Sequence, residues 1–139
     1  MKMVDKGLDL QPLERAIDHL SGGWLRYQQD ICDSQIRDGL IHRLELTYEI
    51  SHKMLKRFLE ATSANPVEFD EMSFQDLVRS GHEQGLLRGS WPDWKRYRDM
   101  RSKTSHTYDE PVALEVVAGI PEFLAEARHL LDQIKARQA

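Results

Sequence analysis

Apolar residues recur at helical spacing through nearly the whole chain, and no stretch of useful length alternates with the period of two that marks a half-buried strand. Leu10, Leu13, Ile17, Leu20 and Trp24 step by three and four positions, which predicts one buried stripe on a first helix. Gly22-Gly23 weakens that helix by on the order of 1 kcal/mol per glycine, a cost a long helix absorbs, so continuation through Trp24 towards Ile31 is expected. The strongest stripe is the second. Ile36, Leu40, Ile41, Leu44, Tyr48, Ser51, Leu55, Phe58 and Leu59 share a face behind Asp33 or Ser34 as N-cap, ending near Ala61. Thr62 to Asp70 reads as a loop, because Pro66 lacks an N–H and pushes Asn65 out of the helical region.

Ser73 with Asp76 three residues on predicts the start of a short third helix carrying Leu77 and Val78 and stopping around Gly81 to Gly85. Ser90-Trp91-Pro92-Asp93 opens a fourth helix, with Trp94, Tyr97 and Met100 or Arg101 along one side. Asp109-Glu110-Pro111 places acid and proline where a further helix begins, extended by Val112, Val116 and Ile120. Gly119-Ile120-Pro121 must break or kink that run before Phe123, Leu124, Ala127, Leu130, Leu131 and Ile134 form a last amphipathic helix to about Arg137. The expected fold is all-α: an antiparallel, up-and-down bundle of four to five helices in a single domain, residues 1–139.

Composition changes this picture little. A chain of 139 residues removes roughly two thirds of its unfolded surface from water, enough for a core without staples. Cys32 is the only cysteine and no Cys/His spacing resembles a zinc site, so neither disulfide nor metal is expected, and a reducing cytoplasm is the natural compartment. No apolar run approaches the ~18 residues that span a bilayer, and Met1 to Asp9 lacks the apolar core of a signal peptide. The net charge of -4 argues against broad nucleic-acid binding. Locally the balance reverses: Lys95, Arg96, Arg98, Arg101 and Lys103 have only Asp99 between them, a basic patch expected to draw a polyanion.

That patch runs into the segment Arg101-Ser102-Lys103-Thr104-Ser105-His106-Thr107-Tyr108. A guanidinium grips phosphate oxygens, an imidazole exchanges a proton near neutral pH, and a phenol donates or accepts. Each also has a plainer reading: Arg101 as a cation against a helix C-terminus, His106 as a turn residue, Tyr108 as a half-buried packing residue. Other candidates weigh less. His42 and His52 lie ten apart, whereas metal pairs on helices sit three or four apart, so they read as solvent-facing or interface histidines. Trp91, Trp94 and Tyr97 could stack on a base, but their helical spacing reads as core. Glu45 and Glu49 make an i,i+4 acidic pair that either faces a basic partner or is solvated; Glu68, Asp70 and Glu71 read as a solvated loop.

Arg101, four residues, His106, one residue and Tyr108 match the R-x(4)-H-x-Y signature of the HEPN superfamily, and Arg101 to Glu110 resembles its nucleotidyltransferase substrate-binding protein family. The similarity extends over nearly the full chain. The resemblance implies a homodimer that works with a minimal nucleotidyltransferase encoded nearby, as one half of a toxin-antitoxin pair. It further implies a metal-independent ribonuclease with Arg101 and His106 catalytic and with no cofactor. Tyr108 is then the residue the transferase modifies with a nucleotidyl group, and Lys103 and Ser105 are the substrate-binding candidates beside it. The alternative is a non-catalytic subunit that presents a nucleotide or other substrate to the transferase. The transferase chemistry itself is not expected here, because Gly89-Ser90 is followed by no Asp-x-Asp pair to hold magnesium.

Overall fold

The structure is a computed structural model that describes residues 7–138. Residues 1–6, the larger part of the Met1 to Asp9 stretch on which the signal-peptide expectation falls, and Ala139 lie outside the described residues. Six α-helices succeed one another: α1 (Gln11–Gln28), α2 (Ser34–Thr62), α3 (Phe74–Glu83), α4 (Trp91–Lys103), α5 (Glu110–Ala118) and α6 (Ile120–Gln138). No strand occurs among the described residues. Counting α5 and α6 as one helix broken at Gly119, this is the expected helical bundle. The long α2 is its spine, and each of the other five helices packs against it.

The helix starts derive from side-chain chemistry. Asp33 accepts from the N–H groups of Gln35 and Ile36 at 2.9 and 3.1 Å, closing the donors that α2 leaves open. Ser73 accepts from Asp76 N–H at 3.1 Å, and Asp93 accepts from Ser90 N–H at 3.0 Å. Gly22-Gly23 leaves α1 unbroken, and Gly23 is where α1 lies close to α2: a Cβ there would stand 3.2 Å from the Arg43 side chain. At Gly119 the approach is tighter. A Cβ would fall 2.6 Å from Sδ of Met100, so the break between α5 and α6 also makes room for α4.

Two boundaries differ from expectation. α1 ends at Gln28, short of Ile31, which is left exposed as the chain turns towards the Asp33 cap. The loop after α2 contains a 3-10 turn, Pro66–Phe69, because the fixed φ of proline suits a tight turn and Phe69 anchors it in the core.

Tyr48, Trp94, Tyr97 and Phe123 are buried together with rings at tilted or edge-on angles. Trp94 and Tyr97 are core residues, which removes them as a base-stacking platform. Trp91 is half-buried, with the Arg98 guanidinium 5.0 Å from its ring centroid. One anchor is polar. Glu126, 3% exposed, accepts from Arg88 N–H (2.8 Å), Gly89 N–H (2.8 Å) and Trp94 Nε1 (2.7 Å), tying the turn before α4 to α6. No helix among the described residues is long and apolar enough to cross a membrane.

Candidate functional site

Arg101 lies in the last turn of α4, and three hydroxyls decide the path of the chain beyond it. Thr104 donates to the carbonyl of Arg101 (2.7 Å), Ser105 to that of Ser102 (3.4 Å) and Thr107 to that of Thr104 (3.3 Å). Satisfying these carbonyls from side chains ends the α-helix and tightens it into a 3-10 turn, Thr104–His106. The chain then bends through Thr107, Tyr108 and Asp109 into α5. His106 and Tyr108 emerge on the outside of this bend, with ring centroids 6.3 Å apart. Tyr108 is 87% exposed, which corrects the packing role that a lone tyrosine suggests.

Arg101 is held by α2. Its Nε donates to Oε2 of Glu49 at 2.9 Å, its Nη2 donates to the same oxygen, and its Nη1 lies 3.2 Å from Oε2 of Glu45. The Glu49 hydrogen bond, aided by both carboxylate charges against a small burial penalty, raises the pKa of the guanidinium further. Tyr48, between the two acids in sequence, is pushed up to about 12 by burial, against the lowering effect of Arg98 and Arg101. The Arg101 side chain remains 33% exposed, so it is oriented yet open to solvent. Glu45 and Glu49 are therefore the basic-partner case of the acidic pair, with the partner inside the same chain. Their sequence signal was the four-residue spacing; the arginine that Glu49 faces is 52 positions away and could not be read.

The basic patch is smaller than its sequence suggests. Lys103 pairs with Glu115, and that hydrogen bond raises its pKa. Arg96 pairs with Glu122, and lies 3.4 Å from Asp93. Arg98 lies on Trp91. The structure thus brings Arg101, Lys103, Ser105, His106 and Tyr108 to one end of α4, whereas Lys95, Arg96 and Arg98 stand further back along the helix, two of them engaged by other neighbours. Lys103, Arg96, Glu115 and Glu122 line a groove of 570 Å³ between α4 and the α5–α6 break, whose charges are mixed rather than basic.

The histidines of α2 do not meet. His42 lies 3.6 Å from Glu45, and His52 packs at a tilt against Phe74 with centroids 4.4 Å apart, its pKa lowered by burial and then by Lys56. No group of three or more His, Cys, Asp or Glu that could hold a metal ion occurs among the described residues.

A six-helix bundle wound on one long helix, with a tethered arginine leading into an exposed histidine and tyrosine, defines a class of small all-α proteins. Within that class the chain belongs to the family described as nucleotidyltransferase substrate binding protein like, whose model matches residues 8–136. It is 37% identical over 126 residues to a Haemophilus influenzae protein named probable ribonuclease HepT, a match covering 90% of this chain and 86% of that protein. It is also similar to a solved Haemophilus influenzae structure described as revealing the fold of a substrate binding domain of a nucleotidyltransferase. The TM-score is 0.84 at 34% identity, over 91% of this chain and 99% of the other.

Proposed function

We propose that this protein is the helical partner subunit of a minimal nucleotidyltransferase and a metal-independent ribonuclease, the HEPN member of a toxin-antitoxin pair, with Arg101 and His106 as its catalytic residues. The observation that carries the reading is an oriented, partly open guanidinium at Arg101 followed, five residues on, by a solvent-facing imidazole at His106. The name of the 37% identical relative, probable ribonuclease HepT, supports it.

The chemistry needs only these groups. Arg101 binds the scissile phosphate and stabilises the charge that builds on it. One His106 takes the proton of the 2′-hydroxyl, the 2′ oxygen attacks phosphorus, and the bond from phosphorus to the 5′ oxygen breaks. An imidazolium returns a proton to the leaving oxygen, giving a 2′,3′-cyclic phosphate and a 5′-hydroxyl. Since one chain supplies one Arg101 and one His106, the base and the acid come from two copies facing each other across a two-fold axis.

Tyr108 is the off switch. Its exposed hydroxyl oxygen attacks the α-phosphorus of a nucleoside triphosphate held by the partner transferase; pyrophosphate leaves and the phenolic proton passes to that enzyme. The new phosphodiester brings negative charge and bulk beside His106 and repels RNA. Exposed Cys32 is compatible with a reducing cytoplasm.

A second reading is favoured by one observation: the similar solved structure is described as having the fold of a substrate binding domain of a nucleotidyltransferase. In it the protein is a non-catalytic subunit that binds a nucleotide at Arg101 and presents it to the transferase, in keeping with the description of the solved relative. The test is His106→Ala. The nuclease reading requires loss of RNA cleavage with the helical circular dichroism and dimer intact. A protein that leaves RNA whole under all conditions while binding nucleotide through Arg101 establishes the alternative instead.

A further inference from the structure

Among the described residues, Glu126 and Arg37 are the two charged side chains that the fold takes almost wholly out of water, 3% and 7% exposed. Their circumstances are opposite. Glu126 receives three hydrogen bonds. Arg37, in the first turns of α2, has five donors and one acceptor: its Nη1 lies 3.4 Å from Oε2 of Glu110, a long contact to a carboxylate that is itself 70% exposed. Its Nε is buried with no partner among the described residues. Taking a guanidinium out of water is costly unless its hydrogens are matched, so an arginine left in this condition is built for an anion.

The edge left unmatched is informative. Nε and Nη2 form the side of a guanidinium that receives a carboxylate or phosphate in two-point fashion. In Arg101 that edge is filled by Glu49; in Arg37 the buried Nε has no acceptor among the described residues.

The first turn of α5 adds to the attraction. Asp109 has the extended backbone of an N-cap residue, yet its side chain makes no cap bond, unlike Asp33 at the start of α2. The amide of Val112 is thus left without the acceptor an N-cap supplies, at the positive end of a helix dipole. Glu110 and its contact with Arg37 lie here.

Position relates this pair to the Arg101 cluster. Arg37 precedes Glu45 by eight residues on α2, about 12 Å at the helical rise. Thr104 reaches Glu45 at 3.5 Å, and Glu110 reaches Arg37. The segment carrying His106 and Tyr108 therefore runs along α2 between two arginines.

We infer that Arg37 and the first turn of α5 form a second phosphate subsite, filled at rest by the Glu110 carboxylate, which receives a flanking phosphate of the RNA strand whose scissile phosphate lies on Arg101. The inference rests on the ribonuclease reading. Glu110, being exposed, swings into solvent, and a phosphate oxygen takes its place on Nη1 of Arg37.

The experiment is binding of an uncleavable 2′-O-methyl hexanucleotide to the full chain across a series of potassium chloride concentrations. Arg37→Met is expected to raise Kd about tenfold and to lessen the slope of log K against log salt by about 0.7, the loss of one phosphate contact on a single strand. Glu110→Gln, which removes the resident competitor, is expected to tighten binding several-fold. A folded Arg37→Met with unchanged Kd and slope, in a series where Arg101→Ala weakens binding, overturns the subsite and leaves the ribonuclease reading standing. Should Arg37→Met fail to fold, Glu110→Gln decides alone: unchanged or weaker binding overturns the subsite. If the wild-type protein does not bind the oligonucleotide and Arg101→Ala makes no difference, it is the ribonuclease reading that falls.

Discussion

Arg101 and Glu49 lie side by side, the Nε of one 2.9 Å from Oε2 of the other, so the cation that α4 supplies is aimed by a carboxylate from α2. With Glu45 also in reach, the cluster carries one more negative charge than positive, and an incoming phosphate must displace a carboxylate. The two acids then have different effects. Glu45→Gln makes the cluster neutral while the Glu49 tether remains, and should lower the Kd of an uncleavable oligonucleotide a few-fold. Glu49→Gln removes the charge of the two-donor tether and should slow RNA cleavage by about tenfold or more through misplacement of the guanidinium. Single-turnover cleavage and oligonucleotide titration of both variants separate these effects.

The buried carboxylate of Glu126 is expected to be the most costly polar group to remove. Glu126→Ala strands two backbone amides and the buried indole N–H of Trp94, a loss of about 3 kcal/mol or more. Thermal denaturation should show a Tm lower by about 10 °C. A change of a degree or two would mean that these donors find water instead.

His52 makes stability depend on pH. Its pKa is lowered, first by burial against Phe74 and then by Lys56, so the unfolded state binds the proton more readily than the folded one. Its contribution is fully present above the unfolded value near 6.5 and is lost as pH falls through the lower folded value. Urea titrations between about pH 7.5 and 5 should show a stability loss in the wild type that is smaller in His52→Gln. Parallel curves for the two proteins would remove His52 as a source.

The helices were readable because local signals agreed with the global fold. Asp33, Ser73, Asp93 and Pro111 each stand where a helix begins, and the α2 stripe lies on the buried face. The motif was readable too, as a spacing of Arg101, His106 and Tyr108. What local spacing does not carry is pairing across the bundle. Glu45 and Glu49 appeared only as an acidic pair, and nothing in the spacing singled out Glu126 or Arg37. The basic run from Lys95 to Lys103 looked like one field, because Glu115 and Glu122, which neutralise Lys103 and Arg96, come from α5 and α6.

The central claim is that Arg101 and His106 cleave RNA through its own 2′-hydroxyl, and one measurement addresses it most directly. A labelled RNA and the same RNA with a single 2′-deoxy residue at the cleaved position are incubated with purified protein in excess chelator. The account predicts cleavage of the first to a 2′,3′-cyclic phosphate and a 5′-hydroxyl, protection of the second at that bond, and no cleavage of either by His106→Ala. Equal cutting of both RNAs, or an undiminished rate in His106→Ala, would contradict it.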